Sequence, residues 1–187
     1  MPSPNSALST KLILMYSIFA IFVCAMVMSM RKQMDHFEVP LPNFPIGQYV
    51  RIIQDERIDC MHIAEIRVYG APAISKVGLT SMQPNIAIGK PVTMSSKLPA
   101  REVTDGKMDT FVKTSCNDMP WVMVDLEDNF IITHVTIINR QDCCQESMIG
   151  AHVEVLSDKR NVQYTSDKIQ QAATSYHFNP PSTVVML

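Results

Sequence analysis

The side chains in this chain best suited to catalysis or metal binding are five histidines, at positions 36, 62, 134, 152 and 177. Zinc sites and zinc hydrolases hold their ligands at short, fixed spacings, and these histidines show none of them. There is no Gly-x-Ser-x-Gly turn to raise a nucleophile, no phosphate-binding loop and no dinucleotide fingerprint. His134 and His152 fall in alternating apolar runs, where a satisfied structural histidine is expected. Thr104-Asp105-Gly106 reads as a tight turn with a solvated carboxylate. Arg140, two residues before Asp142, reads as half of an ion pair at a strand end. This inventory predicts no enzyme.

The elements that must position these residues are strands. Residues 63–69 place Ala64, Ile66 and Val68 on one face and Glu65 and Arg67 on the other. Val122, Val124 and Leu126 alternate with Met123 and Asp125, and Val153 and Val155 alternate with His152 and Glu154. FIITHVTIINR, at 130–140, is the longest β-branched run. Pro, Gly, Asn and Asp separate these runs, the punctuation of an all-β sandwich or barrel. SDKIQQAATSY, at 166–176, could form a helical turn, but its apolar face is too thin for a packed helix. The scattered Met119, Met123 and Met148 read as gap-filling residues.

Two segments precede the sandwich. Residues 12–30, LILMYSIFAIFVCAMVMSM, contain no charge, Gly or Pro and are bounded by Lys11 and Arg31-Lys32. At 1.5 Å per residue they would span roughly 28 Å, the thickness of a bilayer core, so a transmembrane helix is expected there. A cleavable signal would have a shorter apolar region and a small-residue site after it, which Met28-Ser29-Met30 does not supply. Positive charge on both flanks leaves the orientation open. Residues 33–47 carry prolines at 40, 42 and 45 and predict a stiff stalk. Counting by region gives 1–32 with the helix, 33–47 as stalk and 48–187 as the domain. Lys11 is the only charge before Arg31, so fifteen of the sixteen Lys and Arg face all eighteen acids beyond it. A net charge near −3 there gives no support to nucleic-acid binding.

From residue 85 the chain reads NIAIGKPVTMSS, VTDGKMDTF, SC, PWVMVDL, ITHVTIINRQDCC, IGAHVEVLS and YHFNPP, in that order. This order resembles the F-type lectin (fucolectin) branch of the discoidin, or coagulation factor 5/8 type C, superfamily, over residues 85–180. The resemblance implies a discoidin-like jelly-roll β-sandwich of eight strands, galactose-binding-domain-like, with Trp121 in the place of the family's core tryptophan. The family's closing strand pair follows its Phe-x-Pro segment. Here its counterpart, QYVRII at 48–53 and MHIAEIRVYG at 61–70, stands in front. We therefore expect a circular permutation in which residues 48–70 close the same sandwich. Strand exchange with a neighbouring subunit is the competing arrangement.

The resemblance also implies sites. A structural Ca²⁺ would be held by Asp105, the carbonyls of Glu102 and Lys107, Ser115, and Glu65 with the Ala64 carbonyl, a hard-oxygen set suited to this ion. The loop is one residue shorter than the family's. The sugar motif is partly present. Arg140 and Asp142 match its middle, but position 147 is Ser where the family has a basic residue, and only Asn117 and Asp118 stand near the expected His. Another glycan, or a protein at the same loop rim, is expected rather than fucose. Cys143-Cys144 matches an adjacent pair that can form a vicinal disulfide, two reduced thiols being the plain alternative. Cys60 and Cys116 could pair across the calcium loop.

Two functions of different class follow. One is a membrane-anchored binding or adhesion module that recognises a glycan or glycoprotein through sandwich loops, on the extracellular or lumenal side. The other is a structural assembly protein, such as a membrane-linked minor capsid protein in the virion of a large DNA virus, docking on capsid or coat proteins without sugar binding. An accessory subunit of a hydrolase is a third class.

Overall fold

In the computed structural model, residues 44–55, 59–73, 84–97, 99–116 and 119–181 are described, with residues 19, 21 and 23–26 of the N-terminal region. Those six are helical and exposed. Among the described residues no helix is long and apolar enough to cross a membrane. Most of the span expected at 12–30, and residues 33–43 of the expected stalk, lie outside them.

The rest of the described chain is β. Its strands are β1 (Ile46–Gln54), β2 (His62–Pro72), β3 (Val92–Met94), β4 (Val112–Lys113), β5 (Trp121–Asn139), β6 (Ala151–Leu156), β7 (Val162–Thr165) and β8 (Ser175–Phe178). Short 3₁₀ turns, Arg101–Thr104 and Gln145–Met148, are the only helical pieces among the described residues of this part. All pairings are antiparallel.

The 19-residue β5 organises the sandwich. Its first half pairs with β1 through Asp125↔Tyr49 to Trp121↔Ile53, and with β3 through Val124↔Val92. Its second half pairs with β2 from Phe130↔Pro72 to Asn139↔Ile63, and with β8 around Ile137↔Tyr176. One layer is thus β3, the start of β5, β1, β6 and β7; the other is β4, β2, the end of β5 and β8. The change of layer is visible in the burial phase. Val122, Val124 and Leu126 face inward at even positions, whereas Val135 and Ile137 do so at odd ones. Glu127 turns the strand with a left-handed φ of 68°. Asp125 stabilises that turn by accepting the Glu127 N–H at 2.8 Å.

Between the layers lies one apolar core. Val50 and Ile52 of β1, Ile66 and Val68 of β2, Val135 and Ile137 of β5, and Val153 and Val155 of β6 are all buried in it. On the outer face of the first layer, Arg51 stands opposite Glu154 and donates to it at 2.6 Å. Strands β1 and β2 sit inside this chain's own sandwich, β1 between β5 and β6 and β2 between β4 and β5. The first of them begins at Ile46, inside the stretch read as stalk.

Four local expectations change. Met119, read as gap-filling, is exposed and takes a left-handed φ of 54° just before β5. Residues 166–176 form no helical turn. Residues 166–174 run as a loop into β8, held by Ile169, which is buried and exchanges backbone hydrogen bonds with Ala151 and Gly150. Trp121 is only half-buried, because it opens β5 at the rim of the layer rather than in its middle. Glu65, expected on the polar face of β2, is fully buried, because the 105–106 turn meets its carboxylate.

Removing β1 and β2 strips each layer of a central strand, so a fragment beginning at residue 80 should show no cooperative unfolding by circular dichroism. Cooperative, monomeric melting of that fragment would refute the closure described here. At Gly70, where β2 and β5 shift register, a Cβ would overlap the backbone carbonyl of Ile131. Gly70→Ala should therefore cost about 2–4 kcal/mol in urea unfolding.

Candidate functional site

The residues singled out in the sequence gather at one end of the second layer. There β2 begins, β5 ends, and the loop 105–111 crosses between them. The start of β2 is pinned in place. Met61 N–H donates to the Thr114 hydroxyl at 3.0 Å, His62 N–H to the Ser147 hydroxyl at 3.3 Å, and Cys60 is joined to Cys116. The end of β5 is pinned by Asn139, which is fully buried and donates through its amide to the carbonyls of Gln145 and Ala173.

Beyond Asn139 the chain turns out to solvent, and Arg140 folds back onto Asp142. Its Nε and one terminal nitrogen donate to the two carboxylate oxygens at 2.6 and 2.9 Å. This bidentate bond holds Asp142 below the usual carboxylate range and raises Arg140 further. The guanidinium also lies over the Phe111 ring, 3.9 Å from its centroid. A fork fixed on one edge and one face keeps little rotamer freedom, and the rest of its five N–H groups stay available. Around it is an open cleft of about 260 Å³ lined by Ala64, Met108, Asp109, Phe111, Gln141 and Asp142 among others. Met108 and Phe111 are exposed apolar residues, suited to the apolar face of a ligand. Next to Asp142, Cys143 and Cys144 are joined as a vicinal disulfide, with Cys144 in the left-handed region.

His62 lies against the same ring. Its imidazole meets Phe111 edge-on at 6.5 Å between centroids. It is 8% exposed, its Nδ1 has no hydrogen-bond partner, and burial pushes its pKa down, helped by the Lys113 and Arg140 charges.

On the other side of the loop is Glu65. It is fully buried, one oxygen accepts the Gly106 N–H at 3.3 Å, and the other has no partner. Burial pushes its carboxyl up to about 7, and the nearby Asp105 adds to the rise. Asp105 is exposed and accepts from the Lys107 N–H at 2.8 Å and from the Thr110 hydroxyl. Gly106, with φ of 81°, makes this turn possible. A buried carboxylate oxygen without a partner, facing a second acid, is what a cation would satisfy. Among the described residues no three His, Cys, Asp or Glu side chains cluster closely enough to hold a metal. Calcium would therefore need the carbonyls of Ala64, Glu102 and Lys107 as well, and oxygen donors of that mixture fit its preference. Ser115 is exposed beside the Cys60–Cys116 bridge and, among the described residues, makes no hydrogen bond to Glu65 or Asp105.

The structure thus brings Arg140, Asp142, Ala64 and the 105–111 loop together, and sets Glu65 beneath that loop. Ser147, at the position where a basic group was sought, is buried in the Gln145–Met148 turn and bonded to β2. Asn117 and Asp118 lie outside the described residues. Phe111 and His62 stand within the segments VTDGKMDTF and MHIAEIRVYG, yet nothing in the sequence assigns either a role in the site; only the ring stacking and the unpartnered nitrogen reveal them. Of the two expected structural histidines, His134 is satisfied by Asn179 and Thr136, whereas His152 Nδ1 has no hydrogen-bond partner. A larger cleft, about 550 Å³, lies beside residues 89–92 and 99–105, but its Lys90 is already paired with Glu127.

Residues 102–184 match the F5/8 type C family described as a NedA-like, galactose-binding domain. Among curated proteins, Fucolectin-6 of Anguilla japonica is 35% identical over 86 residues, covering 38% of this chain and 46% of that protein. Fucolectin of Anguilla anguilla is 36% identical over 87 residues, covering 39% and 55%. Fucolectin-3 of Anguilla japonica is 35% identical over 85 residues, covering 38% and 47%. The chain spans about half the length of the curated relatives it matches. No solved structure matches it. These matches support the domain family named by the motifs, and the fold is a galactose-binding-like sandwich.

The raised pKa of Glu65 carries a sign. Between the ordinary value of 4.5 and about 7 the unfolded chain has released this proton while the folded chain keeps it. Stability contributed by Glu65 therefore falls as pH rises through that window and levels off above it, a change on the order of 3 kcal/mol. Urea unfolding in chelator from pH 4.5 to 7.5 should show this slope, and Glu65→Gln should remove it. Equal slopes in both proteins would exclude Glu65 as the source.

Proposed function

We propose that this chain is a non-enzymatic, membrane-anchored binding module that grips a glycan or glycoprotein through the loops around Arg140. The observation that carries this reading is the Arg140 fork, clamped on Asp142 and stacked on Phe111 in an open cleft. A pyranose offers hydroxyls to such a fork and an apolar face to such a ring, and the cleft has both kinds of lining. The relatives named fucolectins and the galactose-binding family description support the same ligand class. With position 147 occupied by a buried Ser, a sugar other than fucose is the better fit.

In this reading Ca²⁺ is structural. Glu65 and Asp105 would hold it with neighbouring carbonyls, fixing the loop that carries Met108 and Phe111. The ion supplies charge compensation for the buried carboxylate, and the chain's own residues bind the sugar. The apolar stretch at 12–30 supplies the membrane anchor, and the order of strands, with β1 and β2 ahead of the matched region, is a permuted one.

Glycan-array binding by the full chain in detergent, with Arg140→Ala as control, tests the site. Binding should be calcium-dependent and fall at least about tenfold in the variant, the loss of a charged hydrogen-bonding group. In thermal unfolding, calcium at about a hundredfold over its Kd should add about 2.7 kcal/mol in wild type and nothing in Glu65→Ala. No glycan binding, together with co-purification on a coat lattice, would favour a structural assembly protein instead.

A further inference from the structure

Five buried side-chain atoms among the described residues lack a hydrogen-bond partner, and two of them belong to β2 within four residues of each other: His62 Nδ1 and Glu65 Oε1. Folded proteins leave few buried polar atoms unpaired, because each carries its desolvation cost uncompensated. The Glu65 oxygen has a reading as a cation ligand. The His62 nitrogen has none so far. Nothing structural requires an imidazole here: what fixes this point of β2 is the backbone, through the Ser147 hydroxyl on the His62 N–H, and Phe111 needs only a ring edge. A phenylalanine would pack there without the cost.

We propose that His62 contacts the ligand of the Arg140 cleft, its imidazole exchanging a hydrogen bond with a hydroxyl of the bound sugar. This rests on the glycan-binding reading of that cleft. The geometry supports it from three sides. Phe111 carries Arg140 on its face and His62 at its edge, so the imidazole stands directly behind a ring that lines the cleft. Ala64, two residues along β2 from His62, is part of the cleft lining. The His62 side chain makes no hydrogen bond within the described protein, so its capacity is uncommitted. A neutral imidazole both donates and accepts, so it can serve one hydroxyl in either sense. It thereby adds a polar group from β2 to a cleft that, apart from Ala64, is lined by residues 108–142. Sites that hydrogen-bond a particular hydroxyl discriminate strongly against sugars lacking it or presenting it in the other configuration.

The test uses the full chain in detergent, an array of fucose-, galactose- and mannose-terminated glycans, and the variants His62→Phe, His62→Gln and Arg140→Ala. We expect His62→Phe to bind at least about tenfold more weakly while its Tm stays equal or rises, since an unpaired polar group is replaced by carbon. His62→Gln, which can still exchange a hydrogen bond, should recover most of the affinity. Undiminished binding by His62→Phe, with binding abolished in Arg140→Ala, would overturn this inference and leave the cleft reading intact. Wild-type protein that binds no glycan would overturn the cleft reading and this one with it. A lowered Tm in His62→Phe with no rescue by His62→Gln would make His62 a packing residue and overturn the proposal. Imidazole ¹⁵N resonances of the wild type provide a measurement that needs no variant. The His62 signals should move on adding the best array glycan, and unmoved signals at saturation would also overturn it.

Discussion

Strand β5 has to satisfy two sets of neighbours at once. Its first half gives hydrogen bonds to β1 and β3, and its second half to β2 and β8, so one backbone stitches both layers of the sandwich. A strand in that role cannot keep a single alternation. It must exchange inward and outward positions where it changes layer, and Glu127 makes the exchange in a left-handed conformation stabilised by Asp125. The location of the cleft follows from this. Because β5 leaves the second layer at Asn139, whatever follows it emerges at the end of that layer, where β2 begins and the 105–111 loop crosses.

The sequence revealed the strands wherever one face was apolar and the other was not. Val122, Val124 and Leu126, and the β-branched run after Phe130, announced β5 as two strands. That they form one could not be read, because the residues between them, Glu127 to Asn129, have the composition of a turn. In the structure they are a kink in a continuing ladder. Glu65 shows the same limit. Its alternation with Ile66 correctly places it off the core face, yet it is buried by a segment forty positions away. Local patterns report which way a side chain points along its own strand, and say nothing of what later crosses over it.

The candidate site divides similarly. Arg140, Asp142 and the Cys143–Cys144 pair are adjacent in the chain, so a motif could find them. Phe111 and His62 reach Arg140 only through tertiary packing, and neither type of residue is rare enough to signal itself. Burial brings out a second contrast. Arg140 and Asp142 satisfy one another at the surface, where an ion pair contributes little to stability. His62 and Glu65 are left unsatisfied inside, where the cost is highest. A sandwich that keeps two such groups beneath one loop gives up stability locally, and the Cys60–Cys116 bridge, closing 56 residues of sequence, offsets it at the same end with about 4 kcal/mol of chain entropy.

The chain enters the sandwich at Ile46, which pairs with Ile131, while the cleft lies past Asn139 at the far end of the same half of β5. Eight residues of strand separate the two points, roughly 26 Å. Tension applied between Ile46 and a molecule held in the cleft would be carried by β1 and β5 along their length rather than across it. Their antiparallel rungs would then be loaded in shear, many at once, instead of parting one after another from an end.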